Sequence, residues 1–324
     1  MGTRPEIAVV VPSHDRPLRL RWLLNGLAEQ TLARDRFEVV VGHDSSDPET
    51  AEVLATHPLA EAGVLRAVAL EPGTAPPGRN RNAAWRLAGA SVIAFTDDDC
   101  RPPPEWLEGA LAAAGRHPGA IVQGSTRPDP DEFNVGAYAP YVKTQSIVPP
   151  RPWAQACNIV YPREVLELTG GFPEDMFVGE DTALAERARD AGVPYVAAGE
   201  VVTRHAVEEA PMLRQALDAW RWRGLPLLIA RHPRLRREFP LYAFWKREHL
   251  WLPAALAGIA LQRRSRLWGL LAIPYLVQTK PQRYGPRPRA RLRALLEVPG
   301  IAAIHAAEMA SLAWGSIRHR TLFL

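Results

Sequence analysis

Cysteine is scarce in this chain: 324 residues hold only Cys100 and Cys157. Two thiols support neither a disulfide framework nor a zinc cluster, and they read as reduced intracellular cysteines. Lysine is nearly as rare, with three residues among 39 basic ones, so positive charge here means arginine. Long apolar runs are missing too. The N-terminal run, Ile7 to Val11, stops at Pro12 and is too short for the core of a signal peptide, while Glu6 spoils a myristoylation pattern. A cytoplasmic location is therefore expected. There is no internal repeat and no low-complexity tract.

Charge, by contrast, is plentiful and unevenly divided. Residues 1–210 carry 19 Lys+Arg against 30 Asp+Glu, and residues 211–324 carry 20 against 5, with six of the ten tryptophans in the second part. A net +4 thus conceals an acidic and a basic segment. We read these as two domains, 1–210 and 211–324.

In the first, EIAVVV, FEVVVG, GVLRAVAL, ASVIAF and GAIVQG read as buried strands, being apolar, rich in β-branched residues and hardly alternating. Helical spacing lies between them at 18–30, 49–56, 80–87 and 105–115. Such alternation predicts an α/β fold with a mainly parallel sheet flanked by helices, binding ligands at the carboxyl ends of its strands. Residues 127–156 lose the rhythm. Prolines with Tyr138, Tyr141 and Trp153 make either a surface loop or a flap that receives a second substrate. A helix near Pro162, another over about 181–191 and a strand pair over 193–205 follow.

The second segment predicts a basic amphipathic helix broken by Pro226. Two apolar runs follow it, Leu250–Leu261 and Leu267–Val277, each about half the ~20 residues of a spanning helix. They suit a shallow hairpin or an interfacial position, with tryptophans at headgroup depth.

Three consecutive carboxylates, Asp97, Asp98 and Asp99, close the strand ASVIAF. Like charges at the end of a buried strand are costly unless something cationic joins them. Mg²⁺ or Mn²⁺ would do so, since each prefers oxygen ligands and accepts substrate phosphates in its remaining positions.

EIAVVVPSHDRP, GHDSSDPET, GRNRNAAWRLAGASVIAFTDDDCRPPPEWL, ACNIVYPREVLELTGGFPEDMFVGEDTALAERARDAGV and VVTRH occur in this order over about residues 6–205. Together they resemble a family 2 glycosyltransferase. The resemblance implies a GT-A-type, Rossmann-like fold, a nucleoside-diphosphate-sugar donor, a glycan or lipid-linked acceptor, and an inverting, metal-dependent transfer. Asp97 and Asp99 match the family's D-x-D, with Asp97 near the ribose and metal, Asp99 on the metal and Asp98 between them. Pro12, Ser13 and Asp15 match the first nucleotide-contacting loop, although His14 and Asp15 replace a usual tyrosine–asparagine pair. The base-recognising aspartate falls on Gly42 in ungapped alignment and on Asp44 after a small shift; Asp44 is the choice, with Asp47 capping the next helix. Arg79 matches an arginine near the diphosphate or base, and Asn82 replaces a family glycine. Asp181 matches the catalytic base and Glu180 its neighbour that orients the acceptor. A carboxylate at a helix N-terminus is expected to stay ionised. His205 matches a histidine reaching back to the metal or phosphates. Trp153, Gln155 and Asn158 fall on the acceptor side.

The basic, Trp-rich second segment lies outside the resemblance and is expected to hold the enzyme peripherally at the inner face of the plasma membrane, with no nucleic acid involved. Two other readings stand beside this one. A nucleotidyltransferase would carry a Gly-rich, basic loop after the first strand, where this chain has PSHDRP. A non-catalytic membrane or nucleic-acid binder would leave both acidic motifs without a purpose.

Overall fold

The computed structural model describes residues 4–73, 75–132, 142–279 and 287–324, apart from the side chains at 290 and 291. Residues 133–141, with Tyr138 and Tyr141 of the expected flap, lie outside the described residues. The chain divides into two compact units, Met1–Phe133 with Lys143–Val207 and Asn134–Val142 with Glu208–Leu324.

The first unit is built on strands β1 (Ile7–Ser13), β2 (Phe37–His43), β3 (Leu65–Ala69), β4 (Val92–Phe95), β5 (Cys100–Arg101), β6 (Ile121–Pro128), β8 (Ile159–Pro162) and β9 (Tyr195–His205), with a short β7 (Val142–Lys143) outside the sheet. The sheet order is β3-β2-β1-β4-β8-β6-β9-β5. All five strands read from the sequence are present. Two features differ from the reading. β5 and β8 are extra strands, β8 antiparallel to both β4 and β6 and β5 antiparallel to β9. The expected pair over 193–205 is a single strand, parallel to β6, with its register shifted at Gly124/Ser125. That irregularity, a bulge, bends β9 where the sequence suggested a turn.

Helices α1 (Pro17–Ala28), α2 (Pro48–Thr56), α4 (Pro77–Leu87) and α5 (Trp106–Arg116) fall on the predicted segments, and a single turn, α3 (Pro58–Glu61), follows α2. The first three start on proline, whose missing N–H is unneeded in a first turn. β1 shows why both faces are covered. Ile7, Val9 and Val11 pack with Leu20, Leu24 and Leu27 of α1, whereas Ala8 and Val10 pack with Ala84 and Trp85 of α4 and Leu184 of the helix Glu180–Asp190. A strand buried on both sides cannot alternate in polarity.

Parallel register places Ser13 opposite His43, and Val10 opposite both Val40 and Phe95. The segments after β1, β2 and β4 therefore leave the sheet at one edge. Chain reversal on either side of β1 opens a crevice there.

The second unit is helical. Pro226 does not break the helix there: it sits in the first turn of Leu225–Arg231, after Met212–Asp218 and a 3₁₀ segment, Ala219–Gly224. The apolar runs form the helix Arg247–Leu261, then a 3₁₀ stretch Arg266–Ala272 running into Ile273–Gln278. They pack so closely that a Cβ on Gly258 would lie 2.6 Å from the carbonyl oxygen of Trp268. Leu256, Ile259, Leu267, Trp268, Leu270 and Ile273 are nevertheless exposed. The helix Pro288–Arg318 has no legible pattern in the sequence, because Pro299 and scattered arginines interrupt it. Its stretch Leu292–Arg318 is, by length and composition, long and apolar enough to cross a membrane, with a mean hydropathy of 1.2. Glu308 fastens it to the neighbouring helix, accepting from Lys246 Nζ at 2.8 Å to both oxygens and lying 3.0 Å from His249 Nε2. Burial pushes the Glu308 carboxyl up, yet these two partners hold it below its ordinary value.

Candidate active site

The three aspartates that close β4 have three different partners. Asp97 Oδ1 accepts from Arg81 Nη2 at 2.7 Å. Asp98 is buried and accepts from Ser13 Oγ at 2.9 Å. Burial, and then the charge of Asp99, push its pKa up to about 7. Asp99 Oδ2 accepts from Arg16 Nη1 at 2.8 Å. Its Oδ1 is buried without a hydrogen-bond partner and stands 3.5 Å from His205 Nε2. His205 arrives there because β9 pairs with β5, His205 opposite Cys100.

Residues that could hold a divalent cation follow from this. His205 Nδ1 lies 2.9 Å from the carbonyl of Ala206, which fixes that nitrogen as the donor and leaves Nε2 with its lone pair toward Asp99. One carboxylate oxygen and one imidazole nitrogen thus face each other, and one of them is an orphan buried acceptor. Among the described residues no group of three or more His, Cys, Asp or Glu side chains is gathered as a metal site. Mg²⁺ and Mn²⁺ fit a sparse set, because waters and substrate phosphates complete their shells. Asp97, expected to share the metal, gives its Oδ1 to Arg81.

Arg81 is the residue that the sequence reading missed. Its guanidinium is buried, donating to Glu180 Oε1 at 2.7 Å through Nη1 and to Asp97 through Nη2. Burial alone would lower its pKa, but the charges of Asp97 and Glu180 raise it above the ordinary value. Helical spacing could have found it, since Gly78, Arg81, Asn82 and Trp85 share the buried face of α4. Arg79 points elsewhere. It is exposed, with Nε 4.0 Å from Glu174.

Gly179, at φ 77°, caps the helix Glu180–Asp190, so Asp181 lies in its first turn rather than at its cap. Asp181 Oδ1 accepts from Thr182 N at 2.7 Å. It does not stay a low-pKa carboxylate as expected. Burial first, then the charge of Glu180, raise its pKa to about 7 against the pull of Arg81. Glu180, expected to orient the acceptor, gives its Oε1 to Arg81.

Beside Asp181, Thr182 Oγ1 donates to the carbonyl of Trp153 at 2.7 Å, tying the segment after β7 to this helix. Gln155 Oε1 accepts from Gln123 Nε2 at 3.2 Å. Asn158 is corrected: it is buried, and its Nδ2 donates to the carbonyls of Ser125 and Val201 at 2.7 and 2.9 Å while Oδ1 accepts from Trp106 Nε1. It satisfies carbonyls exposed by the bulge and has nothing to offer an acceptor.

On the nucleotide side, Pro12 is half-buried and precedes Ser13, the last residue of β1. Asp44 is buried, with Asn80 Nδ2 at 2.8 Å and His14 Nδ1 at 3.2 Å from Oδ1. Asp47 caps α2 as expected, accepting from Glu49 N at 2.9 Å. Asp15 is corrected from a nucleotide contact to a brace, since its oxygens accept from Ser46 N, Asp47 N and Ser46 Oγ at 2.7 to 3.1 Å.

Known proteins resemble this chain in sequence and in fold. The pattern described as Glycosyl transferase family 2 matches residues 8–169. Glycosyltransferase AglE of Haloferax volcanii is 24% identical over 208 residues, covering 63% of this chain and 68% of that protein. Validoxylamine A glucosyltransferase of Streptomyces hygroscopicus is 27% identical over 230 residues, covering 60% of this chain and 54% of that protein. The matches therefore cover 54% to 68% of these relatives' lengths. Among solved structures, a mannosyltransferase of Pyrobaculum calidifontis in complex with GDP-Man and Mn²⁺ superposes with TM-score 0.56 at 18% identity, over 98% of this chain and 88% of that one. TarS of S. aureus in complex with UDP-GlcNAc gives 0.53 at 17% identity, over 98% and 92%. The fold is that of the GT-A glycosyltransferases, and the chain belongs to glycosyl transferase family 2.

Proposed function

We propose that residues 1–210 catalyse transfer of a glycosyl group from a nucleoside-diphosphate sugar to an acceptor hydroxyl, with inversion at the anomeric carbon. The observation that carries this is Arg81, whose two 2.7 Å bonds bring the acidic motif after β4 and the helix bearing Asp181 within reach of one guanidinium. Asp181 takes the proton of the acceptor hydroxyl, which attacks opposite the diphosphate. A single displacement inverts the centre, and Glu180, the carboxylate next to Asp181 in sequence, is held by Arg81 rather than poised as a nucleophile. Asp97 and Ser13 lie where the donor's ribose and phosphates enter. Asp99 and His205 would hold Mg²⁺ or Mn²⁺, which when bound supplies positive charge against the departing diphosphate. The mannosyltransferase with GDP-Man and Mn²⁺ supports that reading. Calorimetry tests it: chelator should weaken nucleoside-diphosphate binding by about 10- to 100-fold, and Asp99→Ala should remove the difference. Equal affinity with and without metal would sink the assignment.

Residues 211–324, on this reading, hold the enzyme against the cytoplasmic leaflet, near a lipid-linked or cell-envelope glycan acceptor. The exposed Leu256, Ile259, Leu267, Trp268 and Leu270 supply apolar contact, and 20 basic residues against 5 acidic ones attract anionic headgroups. Flotation should carry the full chain upward with anionic vesicles, less so at high salt, and leave a chain ending at residue 210 at the bottom. Full-length protein that ignores vesicles at every salt concentration defeats the membrane reading.

A further inference from the structure

Three consecutive carbonyls, those of Arg151, Pro152 and Trp153, are each met by a different side chain. Tyr195 Oη stands 2.7 Å from the carbonyl of Arg151 and from Gln123 Oε1, which itself accepts from Arg151 N at 2.7 Å. Arg189 Nη1 donates to the carbonyl of Pro152 at 3.0 Å. Thr182 Oγ1 donates to that of Trp153 at 2.7 Å and also lies 3.4 Å from Asp181 Oδ1. A hydroxyl has one proton, and a carbonyl oxygen can only accept. The short contact therefore takes the proton, and Asp181 Oδ1 meets a lone pair of Oγ1 instead. A carboxylate that does receive a hydroxyl proton is a weaker base, because the bond favours its charged form.

We propose that Thr182 is a positioning residue of the transfer reaction: the pinned segment 151–153 withholds the Thr182 proton from Asp181, which keeps Asp181 basic enough to deprotonate the acceptor. The inference rests on the reading of Asp181 as the base and adds what sets its strength. The charged groups that face Asp181 are Glu180 on its own helix, Arg81 of α4 and Asp97 after β4. Cys157, Tyr161 of β8 and Tyr195 of β9 are the other titratable groups that feel its charge. Thr182→Val alters none of these.

Magnetic-resonance titration of the full chain, with carbon-labelled aspartate carboxyls, tests this without any substrate. The Asp181 signal is the one missing from Asp181→Asn, and in the wild type it should titrate at about pH 7. In Thr182→Val, which keeps the shape and loses the hydroxyl, it should stay within about 0.5 pH unit of that value or fall. Arg189→Met combined with Tyr195→Phe removes the two neighbouring pins and frees the hydroxyl to turn, so the signal should titrate about one pH unit lower. Loss of the Arg189 cation by itself would move it up, so the sign identifies the cause. Adding Thr182→Val to that pair should abolish the fall. A rise of about one unit or more in Thr182→Val would show the hydroxyl already bonded to Asp181 and overturns the proposal. No fall in the folded double variant overturns it too, and if that variant does not fold, Thr182→Val decides alone. Either result leaves Asp181 as the base, a reading that fails instead if Asp181→Asn transfers sugar at the wild-type rate.

Discussion

Asp181→Asn lowers glycosyl transfer by about 10²- to 10⁴-fold and leaves nucleoside-diphosphate affinity within a factor of about two. Asparagine keeps the shape and the Thr182 contact, and loses only the capacity to accept a proton. The wild-type pH profile should show the same group. Burial and the neighbouring charge of Glu180 set the Asp181 pKa at about 7, and only the ionised form can act, so kcat/KM should fall about tenfold per pH unit below that value and level off above it. In Asp181→Asn that acid limb disappears together with most of the rate. A variant that keeps half the wild-type rate, with the limb intact, would place the base elsewhere. Glu180 is then the only adjacent carboxylate, and its bond to Arg81 makes it a poor one.

The elements that the sequence discloses are those whose physics is local. Five strands are readable because continuous β-branched runs have no other stable place than between two helical layers. The Asp97–Asp99 and Glu180–Asp181 motifs are readable because clustered charge at a strand or helix end demands a partner. What stays hidden depends on pairing. β8 has four residues and is defined only by its antiparallel neighbours. Asn158 has the composition of a ligand, yet a bulge in two other strands leaves carbonyls that only it can satisfy. Arg79 and Arg81 are two residues apart with the same chemistry. Which of them enters the site follows from the rotation of α4 and its buried Trp85, and no motif states that. Gly42 is similar, for its lack of a side chain looks like a lost aspartate until Asn80 is seen against it.

Arg81→Met should be the most damaging substitution for the fold of the first unit. It removes the shared partner of Glu180 and Asp97, leaving Glu180, which is 6% exposed, as an uncompensated buried charge beside Asp181. Breaking a buried pair from one side costs about 3–5 kcal/mol. For a domain of this size that corresponds to roughly 6–20 °C in Tm. Arg81→Lys keeps the charge, but one ammonium cannot reproduce a planar fork spanning two carboxylates, so an intermediate loss is expected. Adding Glu180→Gln to Arg81→Met removes one stranded charge and should restore about 0.5–3 kcal/mol, which urea denaturation followed by circular dichroism can resolve. The pH profile gives a second measure. Arg81 favours the ionised form of Asp181, so in whatever folded fraction of Arg81→Met remains, the acid limb of kcat/KM should move to higher pH. A loss below about 1 kcal/mol, with no recovery in the double variant, would show that Glu180 and Asp97 are adequately hydrated without their guanidinium.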